Sequence, residues 1–557
     1  MAKLNGLFMK KLSVSLLALL ALIFCFSETK SQQDLNQDYF EMNKAIEIFG
    51  SVFKNLHSNY VDDLNSGDLV KTAIDAMLAK LDPYTVYYPE SDMENVKMQL
   101  LGQYGGIGSL IHKQNNHIMI SEPYENLPAH KAGLKAGDII LKIDGESCEG
   151  KTTSQISERL RGQAGTTIEL TLERDGKQFT KTLKREEIKL PNVSYSGMID
   201  ENVGYIKLTE FTKDAGLHVL QAYKKLEAQG AKYLVLDLRD NGGGLLNEAV
   251  NIVNLFVEKG NVVVSKKTKH IEKNATYKTT QKAAAPNVPI VVLINPYSAS
   301  ASEIVAGSLQ DLDRAIIIGQ RSFGKGLVQT IIPLVYNSQM KVTESKYYIP
   351  SGRCIQAIDY SHRNENGFAE KIPDSLKTAY KTKNGRTVYA GSGIEPDILL
   401  EPYTPSNIAI SLAGNFHCFN YANKFEKEHQ SILPASEFEI TDDIYEDFIH
   451  FLKDKDYHYV TSSEKTIDAL IENAQKEQID SVTLSQINDL KQRIIEDKKN
   501  DIYKFKDEIK LLLLDEIITR YYYQKGSIEA SLNHDKEVKR AIEILKNKEE
   551  YNKILGK

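Results

Sequence analysis

The sequence predicts a multidomain α+β protein: an N-terminal helical segment, a β-rich module, an α/β core and a C-terminal helical domain. Three observations predict it. Apolar residues recur at helical spacing up to about residue 81, then give way at Tyr104 to short strands punctuated by glycine. From Val203, continuous apolar runs alternate with amphipathic helices, as in a parallel sheet covered on both faces. Beyond about residue 401 the spacing is helical again.

The 557 residues suit three or four domains. A net charge of −6 and the lack of a dense basic tract past the amino terminus argue against nucleic acid as partner. Lys3, Lys10 and Lys11 precede the apolar run Leu12 to Phe26, and polar Ser27 to Gln33 follows. This order reads as a secretory signal peptide over 1–31, placing the mature protein in the periplasm or cell envelope. An uncleaved anchor is the alternative, and only then would the chain touch a membrane. Phe24 stands where a lipoprotein signal needs a small residue, so lipidation is rejected. After leader removal Cys148, Cys354 and Cys418 remain, an odd set without CxxC spacing, so free thiols and no metal are expected.

Residues 34–100 form the helical segment, with a helix closed at Asp82-Pro83. Tyr84, Tyr87 and Tyr88 then read as interface packing. The module at 101–190 begins with Gly105-Gly106-Ile107-Gly108, followed by several short strands and two short helices near 129–134 and 153–160. It resembles a PDZ domain, most specifically at Ala132-Gly133-Leu134-Lys135-Ala136-Gly137-Asp138-Ile139-Ile140. A glycine loop exposes backbone N–H groups to a terminal carboxylate, and a strand edge accepts an extended peptide. Gly105, Gly106, Ile107 and Gly108 are the expected carboxylate-binding residues. Arg161 either adds a charged contact or ties the module to its neighbour.

The core spans 191–400, with a polar excursion at 357–392. The strand Tyr233 to Leu238 delivers Arg239-Asp240-Asn241-Gly242-Gly243-Gly244 before a helix. This run lacks the Gly-Lys-Ser/Thr of a phosphate loop, but its amides suit an oxyanion. A second buried strand, Ile290 to Ile294, stops at Asn295-Pro296 and leads through Ser298-Ala299-Ser300-Ala301-Ser302 into a helix. A third, Ala315 to Ile318, delivers Ser322-Phe323-Gly324-Lys325-Gly326. A serine at a strand–helix elbow and a glycine-flanked lysine can form a nucleophile pair. A helix cap and a surface lysine fit the same residues, and these residues alone leave both open.

In the C-terminal part, 401–557, Thr483-x-x-Gln486 reads as a capping box opening a long helix that Gly526 ends. Its broad apolar surface is expected to be buried, or to serve a homo-oligomer or an adaptor.

Taken together, the chain resembles the carboxyl-terminal processing proteases, tail-specific serine peptidases with a crotonase/ClpP-like core. The resemblance rests on Leu81-Asp82-Pro83, Gly105 to Gly108, Asp237-Leu238-Arg239-x-Asn241-x-Gly243-Gly244, Ser298 to Glu303, Phe323-Gly324-Lys325-Gly326-x-Val328-Gln329, Pro350-Ser351-Gly352-Arg353 and Gly393-Ile394-x-Pro396-Asp397. It implies Ser300 as nucleophile and Lys325 as base, with no cofactor and with protein or peptide substrates bearing free C-termini. Gln329, four residues on, would lie alongside Lys325 if the chain is extended there. Gly243 and Ala301 N–H groups are the expected oxyanion donors, Ser298 a cap, Ser302 a first-turn residue and Asp311 structural. Two other readings are a catalytically silent PDZ scaffold and a crotonase-like acyl-thioester enzyme.

Overall fold

The computed structural model describes residues 37–92, 103–365 and 367–557, so the expected leader lies outside the described residues. Residues up to Pro83 form one compact unit and Tyr84–Lys557 the other. The first holds a helix over 37–59 and the helix Ser66–Leu78, whose cap Asn65 accepts from the Gly67 and Asp68 N–H groups. The helical expectation for 34–100 needs correction at its end. Val86–Tyr88 is a strand and Glu90–Asp92 a 3₁₀ turn: the helix has already ended at Leu78, Pro83 keeps it from resuming, and β-favouring Val86, Tyr87 and Tyr88 follow.

In the second unit, the strands Ser109–Gln114, His117–Pro123, Ile139–Ile143, Thr167–Arg174 and Lys177–Lys184 form an antiparallel sheet in that order. The capped helix Thr153–Leu160 buries Ile156 and Leu160 in this module's core. Gln103–Gly106 pairs separately with Glu186–Lys189, so the module enters and leaves through one two-stranded ribbon.

The core sheet runs Val193–Asp200, Val203–Leu208, Tyr233–Asp237, Ile290–Ile294, Ile316–Gly319, Ile398–Leu399. All pairs but the first are parallel. Residues alternate between two apolar clusters: Leu236, Val292 and Ile317 on one face, Val235, Val291 and Ile318 on the other. The second face is covered by C-terminal residues Leu532, Val538, Ala541, Ile544 and Tyr551. The last helices of the C-terminal helical domain therefore cover this face of the core sheet. A second sheet joins Gln339–Tyr348 to Leu327–Pro333, Val262–Thr268 and Val86–Tyr88.

The long C-terminal helix also departs from expectation. Asp480 caps Ser481–Lys498 by accepting from the Val482 and Thr483 N–H groups, so the cap lies three residues before Thr483. The next long helix, Lys506–Leu532, is kinked at Tyr523 (φ 55°) and runs through Gly526. A side chain at Gly526 would collide with Tyr522 Cβ at 2.1 Å, so this glycine serves close packing and not termination.

Asp237 anchors that last layer. Its fully buried carboxylate accepts from the Tyr205 hydroxyl at 2.5 Å and from Arg239 Nη2 at 2.6 Å. Arg239 Nη1 reaches Asp535 and Glu537, each at 2.7 Å. Burial alone would raise the Asp237 pKa, but Arg239 and Lys207 outweigh it and hold the carboxyl well below the usual range. A depressed folded-state value contributes stability above about pH 4 that is lost as pH falls below it. Arg239→Leu should cost about 3 kcal/mol by leaving a buried charge short of its main partner. Urea unfolding of both proteins should show this loss, with the variant's deficit narrowing under acid.

Candidate active site

The elbow after Ile290–Ile294 separates three similar serines. Ser298 is buried, accepting from the Asn295 N–H at 3.0 Å and donating to the Leu238 carbonyl at 2.8 Å. It therefore fastens the turn and does not cap the helix. Ser302 is buried too and donates to the Asn241 carbonyl at 2.8 Å. Ser300 is the residue from which the helix Ala301–Asp311 starts, with φ 56° and ψ −111°. Such a conformation in a non-glycine residue is strained and persists only where its surroundings hold it. Of the three, Ser300 lines a cavity of about 770 Å³.

The surroundings that hold it centre on Glu303, which is fully buried. Its Oε2 accepts from the Ser300 N–H at 2.8 Å and from the Lys325 N–H at 2.9 Å. Its Oε1 accepts from the Ser322 hydroxyl at 2.6 Å and the Gly324 N–H at 2.7 Å. Burial pushes this carboxyl's pKa up, while the four donors pull it back. From the other side, the buried Tyr347 hydroxyl lies 3.1 Å from the Ser300 carbonyl and 2.8 Å from the Lys325 carbonyl. One carboxylate and one phenol thus grip the backbones of both residues at once. Sequence reasoning assigned neither. Glu303 stands three residues after Ser300, at capping-box spacing, which was the available signal; Tyr347 carried none.

Lys325 lines the same cavity, with its Nζ 4.2 Å from the centroid of the Tyr84 ring. Tyr84 therefore packs on the lysine, and Tyr88 lines the cavity, so these tyrosines belong to the site's surroundings. Gln329 lines the cavity as well, but its amide donates to Thr343 Oγ1 at 3.1 Å. Lys325 precedes the strand Leu327–Pro333 and a register shift falls between Val328 and Gln329, so the two reach one cavity without a continuous regular strand between them.

The glycine loop reaches the elbow from Asp237. Gly243 has φ 101°, and a side chain there would stand 2.8 Å from Ser300 Cβ and 2.9 Å from the Ala301 nitrogen. Close approach requires glycine. Its N–H, however, donates to Asn241 Oδ1 at 2.9 Å. The expectation of Gly243 as a ready oxyanion donor is corrected accordingly: that N–H turns toward an oxyanion only when the Asn241 bond is exchanged. Among the described residues nothing accepts from the Ala301 N–H at the helix start.

The module's glycines divide. Gly105 and Gly106 sit in a paired strand, with Gly105 packed so tightly that a side chain would meet the Gly162 carbonyl at 2.0 Å. The turn that could cradle a carboxylate is Ile107-Gly108, with Gly108 at φ 70°. The Arg161 guanidinium lies over the Tyr104 ring, 5.2 Å from its centroid, and Tyr104 lines the same cavity as Ser300 and Lys325. Asp311 pairs with Arg353 at 2.9 Å, both buried, as suits a structural role.

Residues 202–361 match peptidase family S41, 119–174 match the PDZ domain, and 408–545 match the C-terminal helical domain of a probable PDZ-protease. The chain is 39% identical over 323 residues to a carboxy-terminal-processing protease of Bartonella bacilliformis, covering 57% of this chain and 73% of that one. It belongs to peptidase family S41. As an S41 serine peptidase of the C-terminal processing kind, it is also 36% identical to a probable CtpA-like serine protease of Staphylococcus aureus, covering 58% of this chain and 65% of that one. A photosystem II D1 C-terminal processing protease of known structure is 26% identical, covers 64% of this chain and 92% of that one, and superposes with a TM-score of 0.35.

Proposed function

We propose that the protein cleaves protein substrates in the cell envelope, choosing them by their C-terminal tails and cutting them with Ser300 and Lys325. The joint grip of Glu303 and Tyr347 on those two residues, at one cavity, is the observation that carries this reading. The neutral Lys325 amine takes the Ser300 hydroxyl proton as the oxygen attacks the peptide carbonyl. The resulting ammonium returns that proton to the departing amine, leaving an acyl ester on Ser300. Water, deprotonated by the same amine, then hydrolyses the ester. The Ala301 N–H receives the oxyanion, joined by Gly243 once its bond to Asn241 is exchanged. Gln329, held by Thr343, borders the lysine as a neutral hydrogen-bonding group that does not restore its charge.

The PDZ domain binds the substrate's free carboxylate at Ile107-Gly108 and its last apolar residues along the exposed edge of Ser109–Gln114. Arg161 and Tyr104 connect that domain to the catalytic cavity. The basic, apolar and polar succession of residues 1–33 supports export. An unfolded protein with an apolar tail, offered with a free or an amidated C-terminus, tests the selection step. Amidation should lower kcat/KM about tenfold or more; equal values would remove the carboxylate from the proposal.

A further inference from the structure

The catalytic cavity contains a second lysine for which the dyad has no use. Lys341 lies in Gln339–Tyr348, opposite Ile331 of Leu327–Pro333. Two residues on, Thr343 stands opposite Gln329 and accepts its amide. Residues two apart on a strand share a face, and Lys341, Gln329 and Ile331 all line the cavity. Lys341 is therefore on the same wall as Gln329, two residue pairs further from the Lys325 loop.

It is only partly exposed, and among the described residues no carboxylate pairs with its side chain and no acceptor takes its ammonium protons. Burial pushes its pKa down. The other charged cavity residues do not neutralise it. Asp240 accepts from Asn295 at 2.8 Å. Glu210, on the segment that packs against the glycine loop, makes no ion pair among the described residues, and burial pushes its carboxyl's pKa up. A partly desolvated ammonium without a counter-ion costs stability, so a partner supplied from outside would be bound favourably.

We propose that Lys341 is a specificity-determining residue whose ammonium receives an Asp or Glu side chain of the bound polypeptide, two to four residues from the scissile bond. With the scissile bond placed beside Leu327–Gln329, which line the cavity with Ser300, Ile331 lies two residues from Gln329 and four from Leu327, roughly 7 to 13 Å at about 3.3 Å per residue. An extended substrate covers that span in two to four residues. The inference rests on the Ser300/Lys325 reading and names a subsite of the same cleft.

Digestion of a mixture of unfolded proteins by wild type, Lys341→Gln, Lys341→Arg and Ser300→Ala, with cut sites mapped by mass spectrometry, tests it. Wild type should enrich Asp and Glu two to four residues from the cut. For matched Glu and Gln substrates its kcat/KM ratio should be about tenfold. Lys341→Gln should bring that ratio close to one and Lys341→Arg should keep it. Raising salt from about 0.05 to about 0.5 M should erode it in wild type, a readout that needs no variant to fold. A wild-type digest without acidic enrichment, or a ratio unchanged in Lys341→Gln, overturns the proposal. Cutting by Ser300→Ala would instead count against the dyad, so the two failures are distinguishable.

Discussion

Lys325→Ala is expected to lower kcat/KM on a tail-bearing unfolded protein by about 10⁴-fold or more while leaving the fold intact. Both halves follow from where the lysine is held. Its N–H and carbonyl carry the bonds to Glu303 and Tyr347, and alanine keeps both. Its side chain extends into the cavity, where it is the proposed base. Arginine should fail as well, because a guanidinium stays protonated and cannot accept the serine proton. Only the neutral amine can accept the serine proton, so in wild type the rate should rise with pH until the base is fully deprotonated. Circular dichroism and turnover measured together check the prediction. A Lys325→Arg enzyme with near-normal turnover would contradict general-base catalysis by this residue.

Glu303→Ala carries the second large effect, and it should damage stability and turnover together. Four donors, from Ser300, Ser322, Gly324 and Lys325, converge on a fully buried carboxylate. Deleting it leaves all four without their acceptor, which should cost about 3 to 5 kcal/mol even if water enters the gap. It also releases the strained Ser300 backbone, so kcat/KM should fall about 10²-fold or more among molecules that remain folded. Glu303→Gln fills the same space but turns an amide N–H toward two donors, so it should fall between wild type and alanine in both measurements. Urea unfolding and kcat/KM on the same preparations would show this. A stable Glu303→Ala protein with normal turnover would mean that the two loops position themselves.

The contrast between Ser300 and Glu303 shows what could be read from sequence and what could not. Strand and helix order in the core follows from local pattern, because buried strands and amphipathic helices each leave a periodic trace. The rival serines could not be told apart locally, since Ser298, Ser300 and Ser302 occupy similar small-residue surroundings. Resemblance chose Ser300, and the structure supplies the physical difference: the other two hydroxyls are committed to the Leu238 and Asn241 carbonyls. Glu303 was legible in principle, because a glutamate three residues after a helix-opening serine is a local signal. Tyr347 was not, because its contact with Ser300 spans 47 residues and depends on how two sheets meet. The same holds for the C-terminal helices on the core sheet. Apolar strands announce that both faces are covered, but nothing in them names the covering segment. Gln329 lines the cavity with Lys325, but the register shift between Val328 and Gln329 is a local irregularity that a periodicity rule does not contain.

The account stands most directly on a parallel turnover assay of wild type, Ser300→Ala and Lys325→Ala against one unfolded protein with an apolar, free C-terminal tail. The predicted result is cleavage by wild type and none above background by either variant, with all three binding the tail equally well. Equal cleavage by the three would contradict the Ser300/Lys325 dyad.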